Sequence, residues 1–257
     1  MSASRSARPR PVPGTERTLT LDCGGSGLKG RVLDAAGVPL GERVRVPTPY
    51  PCPPELMVAT LVGLAAQLPS FDRVSAGLPG MIRAGRVLAT PHYVTEAGPF
   101  TPRRPDLVTA WTSFDAAGEL AKAFACPVRV VNDAELAGLG VIEGVGFEVL
   151  LTFGTGLGAA LFDGGRAVPK LELSQAPFRK GETYDEQLGN HARRELGNAR
   201  WTGRVSKALD RWHAVLWWDR LYLGGGNAKH LIGDLGRPAT LIGNDAAWLG
   251  GVRLWDF

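Results

Sequence analysis

The stretch LTLDCGGSGLKGRVLD, residues 19–34, sets a glycine-rich bend between two runs of strand-forming residues. Phosphate loops of the strand-to-helix kind lead into a helix whose first backbone N–H groups hold the anion. Here Gly24, Gly25 and Gly27 are followed by Leu28, Val32 and Leu33, then by a polar Asp-Ala-Ala-Gly turn at 34–37. No helix follows, so the stretch reads as a β-hairpin. Residues 148–163, EVLLTFGTGLGAALFD, repeat it. Laid without a gap on 19–34, they match Gly25-Ser26-Gly27-Leu28 with Gly154-Thr155-Gly156-Leu157, and Asp34 with Asp163. Two like hairpins, one opening each half, predict a duplicated architecture whose lobes, 18–136 and 137–257, face each other across a central cleft.

Around the hairpins, strands alternate with helices, the signature of an α/β protein with mixed sheets. GVPLGERVRV (37–46) reads as a third strand. The segment 53–68 reads as a helix buried through Leu56, Ala59, Leu61, Val62 and Leu64. RVSAGLPG (73–80) reads as a strand ending in a turn, 113–126 as a helix capped by Ser113, and 126–140 as a buried strand running into a helix. Further on, 182–196 and 199–218 read as helices, 220–235 as strand, glycines and helix, 238–243 as a strand and 244–255 as a closing helix.

Composition narrows the class. The 257 residues, 44% hydrophobic, suffice for one large or two ordinary domains. No apolar run approaches the roughly 18 residues of a membrane span. The opening MSASRSARPRPVPGTER lacks the apolar core of a signal peptide, so 1–17 reads as a disordered basic arm. The expectation is a soluble, cytoplasmic protein without a membrane partner. Cys23, Cys52 and Cys126 are odd in number and far apart, which fits reduced thiols and no CxxC zinc site. Net charge is +4, with Arg5, Arg8, Arg10 and Arg17 supplying much of the excess, and this reads as solubility or as help in gathering a phosphate-bearing ligand.

Glycines at both bends let backbone N–H groups approach phosphate oxygens without a Cβ in the way, and the hydroxyls of Ser26 and Thr155 add donors. Asp22, ending the first strand, reads as a ligand of Mg²⁺, directly or through water, or as a turn-capping carboxylate. Lys29 reads as a phosphate-neutralising or a solvated lysine. Asn132-Asp133 stands at a strand's carboxyl end, where α/β proteins gather ligands. Two readings remain for Asp133: a base that takes a hydroxyl proton as the oxygen attacks phosphorus, with Asn132 fixing another hydroxyl, or the N-cap of the next helix. Arg193, Arg194, Arg200, Arg204, Lys207 and Arg211 form either a polyphosphate track or a solvated face paired with Asp185, Glu186 and Glu195. Trp201, Trp212, Trp217 and Trp218 read as core or dimer contacts.

The ordered set DCGGSGLKG, GLPG, VVNDAELAG, LTFGTGLGAALF and LYLGGGNAKH resembles the ROK family of bacterial sugar kinases and regulators, and within it the polyphosphate glucokinase branch. The resemblance implies the actin-like ATPase fold of hexokinases (RNase H-like), a homodimer, and Mg²⁺-dependent phosphoryl transfer from polyphosphate or ATP to the 6-hydroxyl of glucose. Carried over by position, Asp133 matches the catalytic base and Asn132 a sugar ligand. Asp22, Gly24, Gly25, Ser26, Gly27 and Lys29 match the first phosphate motif, and Gly154, Thr155 and Gly156 the second. Gly224, Gly225 and Gly226 match the adenosine-side glycines, Pro79 and Gly80 the loop against the sugar, and Glu172 a sugar ligand. The chain departs from the pattern where relatives carry Glu-Leu-Gly-His. It has Glu172-Leu173-Ser174-Gln175, and Gln175 hydrogen-bonds but cannot gain a proton's charge near neutral pH. The sugar-loop asparagine is not evident in ATPHYV (89–94), where His92 stands, and the family's zinc-binding cysteines are absent, so no structural zinc is expected. The short arm leaves no room for the helix-turn-helix of the family's repressors, so no nucleic-acid partner is expected. The alternatives are a kinase for mannose, fructose or an N-acetylated amino sugar, and a sugar sensor that has lost catalysis.

Overall fold

The structure, a computed structural model, describes residues 14–99, 101–243 and 245–256. The expected arm at 1–17 lies outside these except for residues 14–17. Strands β1 (Thr18–Cys23) and β2 (Leu28–Leu33) pair antiparallel with Cys23 opposite Leu28, leaving 24–27 as the bend. β3 (Val44–Val46) continues the meander but is shorter than the expected 37–46; upstream of it only a single bridge, Leu33 to Pro39, forms. Helix α1 (Pro54–Ala65) buries Met57, Leu61 and Leu64. Leu56 and Val62, expected inside, are 41% and 37% exposed, because the helix is apolar around more than the one stripe that faces the sheet.

β4 (Arg73–Leu78) leads into a small hairpin, β5 (Met81–Arg83) and β6 (Arg86–Ala89), and α2 (Pro105–Trp111) follows. Helix α3 (Ala116–Phe124) is capped by Asp115, whose carboxylate accepts from Gly118 N at 3.1 Å; the expected cap, Ser113, lies in the turn before it at φ 61°. β7 (Val128–Asn132) then runs into α4 (Asp133–Leu139).

The second half repeats the plan with β8 (Phe147–Phe153), β9 (Leu157–Asp163) and β10 (Arg166–Ala167). The hairpin β11 (Pro177–Arg179) and β12 (Glu182–Thr183) precedes α5 (Tyr184–Leu188), α6 (Asn190–Leu196) and α7 (Asn198–Leu216). The single helix expected over 182–196 is divided at Gly189, whose backbone is extended. β13 (Arg220–Gly224), β14 (Thr240–Leu241) and α8 (Ala246–Arg253) complete the chain. The helix expected after Gly224–Gly226 is a single 3₁₀ turn, Ala228–His230. Beyond it Gly233 and Gly236 take φ of 72° and 75°, which halts helical propagation.

The two five-stranded sheets, β3-β2-β1-β4-β7 and β10-β9-β8-β13-β14, share one pattern. In each an antiparallel three-strand meander is extended from its first strand by two parallel strands. Because Phe153 pairs with Leu157, the second bend has three residues where the first has four. The gapless alignment therefore holds from Gly25 onward and slips by one before it, so that Thr152, not Leu151, stands where Asp22 stands.

The layers follow from the cores. Met57, Leu61, Leu120 and Phe124 of α1 and α3 cover one face of the first sheet. Trp201, Val205, Leu209 and Trp212 of α7 cover the outer face of the second. Between the sheets lie α4 and α8, with Leu136, Leu139 and Ala247 clustered with Phe162 of β9 on one side and Trp248 and Val252 with Leu33 of β2 on the other. The closing helix thus returns to the first sheet, where Thr20 and Ser75 hydroxyls donate to the carbonyls of Trp248 and Gly251. α4 and α8 cross at backbone contact: a Cβ at Gly250 would stand 1.7 Å from Leu136 O.

Candidate active site

In the first bend every backbone carbonyl is occupied by a protein donor. Tyr93 OH donates to Cys23 O (3.1 Å), Thr48 Oγ1 to Gly24 O (2.7 Å), Tyr50 OH to Gly25 O (2.7 Å) and Arg45 to Ser26 O (3.3 Å). Gly24 N closes the turn on Gly27 O at 3.0 Å. The N–H groups of Gly25, Ser26 and Gly27 have no protein acceptor among the described residues, and Ser26 is exposed at the tip. A loop with its carbonyls tied back and its N–H groups free is an anion receptor.

The second bend is built alike. Phe153 O and Gly154 O accept from Asn227 N (2.9 Å) and Nδ2 (2.8 Å), Thr155 O from Asn190 N (3.1 Å), and Gly156 O from Gly154 N (2.9 Å). The N–H groups of Thr155 and Gly156 are left without a protein acceptor among the described residues, with the Thr155 side chain exposed. Asp185 steadies the bend by accepting from Leu157 N at 2.7 Å; burial pushes its carboxyl above the usual range against that hydrogen bond. The glycines at 224–226 come to the same place. Gly225, at φ 81°, lies so close that a Cβ there would meet Phe153 O at 2.4 Å. With Gly226, Lys229, Leu241 and Ile242 it lines a cavity of about 260 Å³.

Between the bends stands the start of α4. A Cβ at Gly77 of β4 would meet Asp133 Cα at 3.1 Å, and one at Gly158 of β9 would meet Ala134 Cβ at 3.3 Å, so this end of the helix touches both sheets. The helix cap is Asn132, whose Oδ1 accepts from Ala134 N at 3.0 Å in a capping box with Glu135, and not Asp133. Asp133 Oδ1 accepts from the same Ala134 N at 2.9 Å, so its carboxylate shares the first turn's donor with the cap. Protein surrounds its carboxyl, though part of the residue still meets solvent. Burial pushes its pKa from 3.8 to about 6; Lys170 pulls it down, while Asp22 and Glu172 push it up.

The other expected residues fall around this point. Lys29 Nζ pairs with Asp22 at 2.6 Å, which ties the lysine to that carboxylate. Asn132, expected on the sugar, is 3% exposed, and its amide nitrogen donates to Gly80 O at 2.9 Å, fixing the Pro79–Gly80 loop to α4. Glu172 accepts from the buried Ser174 hydroxyl at 2.7 Å, while Gln175 is exposed and its amide donates to Ser174 Oγ at 3.4 Å. His92 lies against the first bend, since a Cβ on Gly25 would meet its ring at 2.8 Å, and burial keeps its pKa below the usual value.

On the basic helices, Arg193 is held by Asn190 and Asn198, and Arg211 by Phe178 O under a 5.0 Å cation–π contact. Of the carboxylates expected to pair with these arginines, Asp185 accepts from Leu157 N and Glu186 sits in a capping box with Thr183, while Glu195 faces His191 at 3.6 Å and acts on Arg204. Trp201, Trp212 and Trp218 are core residues, and Trp217 is 73% exposed. Sequence reading did not single out Thr48, Tyr50 or Tyr93, took Asp185 for an ion-pair partner of the basic helix, and gave Asn227 no role beside the glycines it follows.

Two duplicated sheets with paired phosphate-type bends, and an acidic residue between them, define a two-lobed protein of the actin-like ATPase fold. Residues 18–169 match the ROK family, and the chain belongs to it. It is similar to the polyphosphate glucokinase of Mycobacterium tuberculosis (strain CDC 1551 / Oshkosh), 27% identical over 218 residues covering 81% of this chain and 77% of the relative. The polyphosphate glucokinase of Mycobacterium leprae (strain TN) is 26% identical over 238 residues, 88% of this chain and 69% of that one. Among solved structures, the inorganic polyphosphate/ATP-glucomannokinase from Arthrobacter sp. strain KM superposes with a TM-score of 0.78 at 25% identity, covering 94% of this chain and 100% of the other.

Proposed function

We propose that this chain is a hexose kinase that transfers the terminal phosphoryl group of polyphosphate or ATP to the 6-hydroxyl of glucose. The observation that carries the reading is the pair of bends with occupied carbonyls and free N–H groups on either side of Asp133. Asp133 takes the hydroxyl proton while the oxygen forms its bond to phosphorus and the bond to the donor's bridging oxygen breaks, the electron pair leaving with the donor. The N–H groups of Gly25, Ser26, Gly27, Thr155 and Gly156 hold the charge of the phosphate oxygens, and fixed donors of this kind are worth most where water is excluded. Pro79, Gly80 and Glu172 border the acceptor, with Asn132 fixing the loop. Gly224, Gly225 and Gly226 border the adenosine side when ATP is the donor.

No group of three or more metal-ligating side chains occurs among the described residues, so the protein offers Mg²⁺ no cage of its own. A single carboxylate beside a phosphate loop nevertheless fits the ion, which takes its remaining ligands from phosphates and water. Asp22 is that carboxylate, and the ion supplies charge neutralisation to the donor when bound. Cys23, Cys52 and Cys126, odd in number and far apart in the chain, support a reducing, cytoplasmic setting, and among the described residues no helix is long and apolar enough to cross a membrane. Assembly as a homodimer and the division into lobes at 136/137 rest on the family resemblance.

A second acceptor is favoured by one observation: Ser174 occupies Glu172 Oε1 and Gln175 turns outward, so the sugar-facing end of this segment differs from the Glu-Leu-Gly-His form. The test is incubation with a panel of hexoses, Mg²⁺, and either ATP or polyphosphate, with products identified by ³¹P NMR and mass. Glucose 6-phosphate is the expected product. Product from mannose or an N-acetylated amino sugar alone would move the acceptor, and no product from any pair would end the kinase reading.

A further inference from the structure

We infer that Arg45 is a donor-binding residue: its guanidinium, laid over the first bend, pairs with the phosphate that the bend holds in the transfer proposed above, a reading on which the inference rests. Three side chains from one short segment close on this bend. Arg45 donates to Ser26 O at 3.3 Å, Thr48 to Gly24 O at 2.7 Å and Tyr50 to Gly25 O at 2.7 Å. Each hydroxyl spends its single proton on its carbonyl. Arg45 does not spend its donors so. Its bond to Ser26 O is the longest of the three and leaves most of the guanidinium N–H groups free. Among the described residues Arg45 has no ion-pair partner.

Two features of the chain put the guanidinium there. A Cβ at Gly27 would stand 2.8 Å from Nη2, 2.9 Å from Nε and 3.0 Å from Cζ of Arg45, so the group rests directly on the glycine's backbone. Gly27 is not at positive φ, and what the position requires is room for Arg45. The register of the first sheet supplies the second feature, setting Asp22 opposite Lys29 and Lys29 opposite Arg45. Directly opposed residues share a face, and like charges so placed repel. Lys29 turns to Asp22 at 2.6 Å, while Arg45, on the edge strand, reaches up to the bend. Its charge therefore stands unopposed beside the free N–H groups of Gly25, Ser26 and Gly27. A guanidinium meets phosphate oxygens through two parallel hydrogen bonds, a geometry that an ammonium group does not reproduce. The ligand chemistry is that of condensed phosphate, shared by a polyphosphate chain and a nucleoside triphosphate. In the second meander the third-strand arginine, Arg166, lies opposite Asp163 instead, at the end of β9 away from its bend.

The test is binding of inorganic tripolyphosphate at fixed Mg²⁺, measured by titration calorimetry without sugar, so that no turnover is needed. Arg45→Gln is expected to raise Kd about tenfold at low salt, with the difference shrinking as ionic strength rises. Arg45→Lys should recover part of that loss, through charge without the fork. Arg166→Gln removes an equally exposed arginine and should leave Kd within about twofold of wild type. Gly27→Ala keeps the charge but pushes the guanidinium aside, so it should weaken binding with no further loss when Arg45→Gln is added. A Kd within about twofold of wild type in folded Arg45→Gln, an equal loss in Arg166→Gln, or a wild type that does not bind tripolyphosphate would overturn the proposal. If Arg45→Gln loses tripolyphosphate as expected while the wild type phosphorylates no sugar, the anion site stands and the kinase reading falls.

Discussion

Replacing Asp133 by Asn should abolish turnover and at the same time make the protein more stable, but only above a definite pH. The carboxyl is enclosed by protein at the start of α4, and burial lifts its pKa from 3.8 in the unfolded chain to about 6 in the folded one. A raised acid pKa means that the folded state binds its proton more tightly than the unfolded state does. Between these two values the unfolded chain has lost the proton and the folded chain has kept it, so stability falls as pH rises through that window. Above about pH 6 the full cost is present. A shift of about two units corresponds to about 3 kcal/mol, a net figure that already contains the attraction of Lys170; because part of the residue meets solvent, about 1–3 kcal/mol is expected at pH 7.5. For a chain of this size that is a rise in Tm of about 2–12 °C.

At pH 3.5 Asp133 is protonated in the folded state and about two-thirds protonated in the unfolded chain, so little of the difference remains and the two proteins should melt within about 1 °C of each other if each remains folded there. Activity tells the other half. Loss of a general base costs about 10²–10⁴ in kcat, and wild-type kcat/KM should fall about tenfold from its plateau by pH 5 as Asp133 takes up its proton. The assay is calorimetry of both proteins across pH 3.5–8, paired with initial rates over the active range. A stability difference that is the same at both ends of the range, or a less stable variant at pH 7.5, would show that Asp133 carries no buried charge and would refute the reasoning.

Thr48→Val and Tyr50→Phe each remove one donor from a carbonyl of the first bend, and the loss of about 1 kcal/mol per hydrogen bond should raise KM for the phosphate donor about fivefold with KM for the sugar unchanged, read by initial-rate kinetics with each substrate varied. Gly250→Ala adds a Cβ 1.7 Å from Leu136 O, a backbone atom that cannot swing aside; separating α4 from α8 should cost about 3 kcal/mol and lower Tm by about 6–12 °C. Gly203→Ala is the matched control, since nothing lies within 4 Å of its added methyl group in α7, and it should raise stability by about 0.5–1 kcal/mol.

The duplicated hairpins were legible because a glycine bend without a following helix has few other readings, and because each bend is flanked by strand-forming residues whose burial the sheets then supply. What failed did so for local reasons. The RVRV alternation over 43–46 suggested a long third strand, but Gly37, Pro39 and Gly41 give the segment before it little to pair with. The apolar spacing after Gly226 suggested a helix, and glycines at positive φ stop it after one turn. Ser113 and Asp115 are both good caps, and only the fold decides that Asp115 meets Gly118 N. At the site, the place of Asp133 at a strand's end left base and cap equally open, because Asn and Asp are equally suited to the cap; in the structure Asn132 is the cap and both side chains accept from Ala134 N.

The residues that sequence left unseen share a physical cause: they act across distance in the chain. Tyr93 closes on Cys23, Asn227 on Gly154 and Asp185 on Leu157, each pair separated by at least 28 positions. These contacts turn two ordinary hairpins into anion receptors, since a bend with free carbonyls would repel phosphate as readily as its N–H groups attract it. Around them the titratable side chains are predominantly acidic, with Asp22, Asp133, Glu135, Glu172 and Asp185 set against Lys29 and Lys170. Lys29 already faces Asp22 and Lys170 donates to Ala159 O, so the side-chain cations left to an anionic donor are Arg45 at the first bend and Lys229 at the cavity beside the second. On the proposed function, the rest of the attraction comes from the backbone N–H groups of the two bends and from a cation that arrives with the donor. Donor binding should therefore depend more steeply on Mg²⁺ than on the substitution of any single lysine, and a donor KM that is indifferent to Mg²⁺ but lost with Lys29 would reverse that assignment.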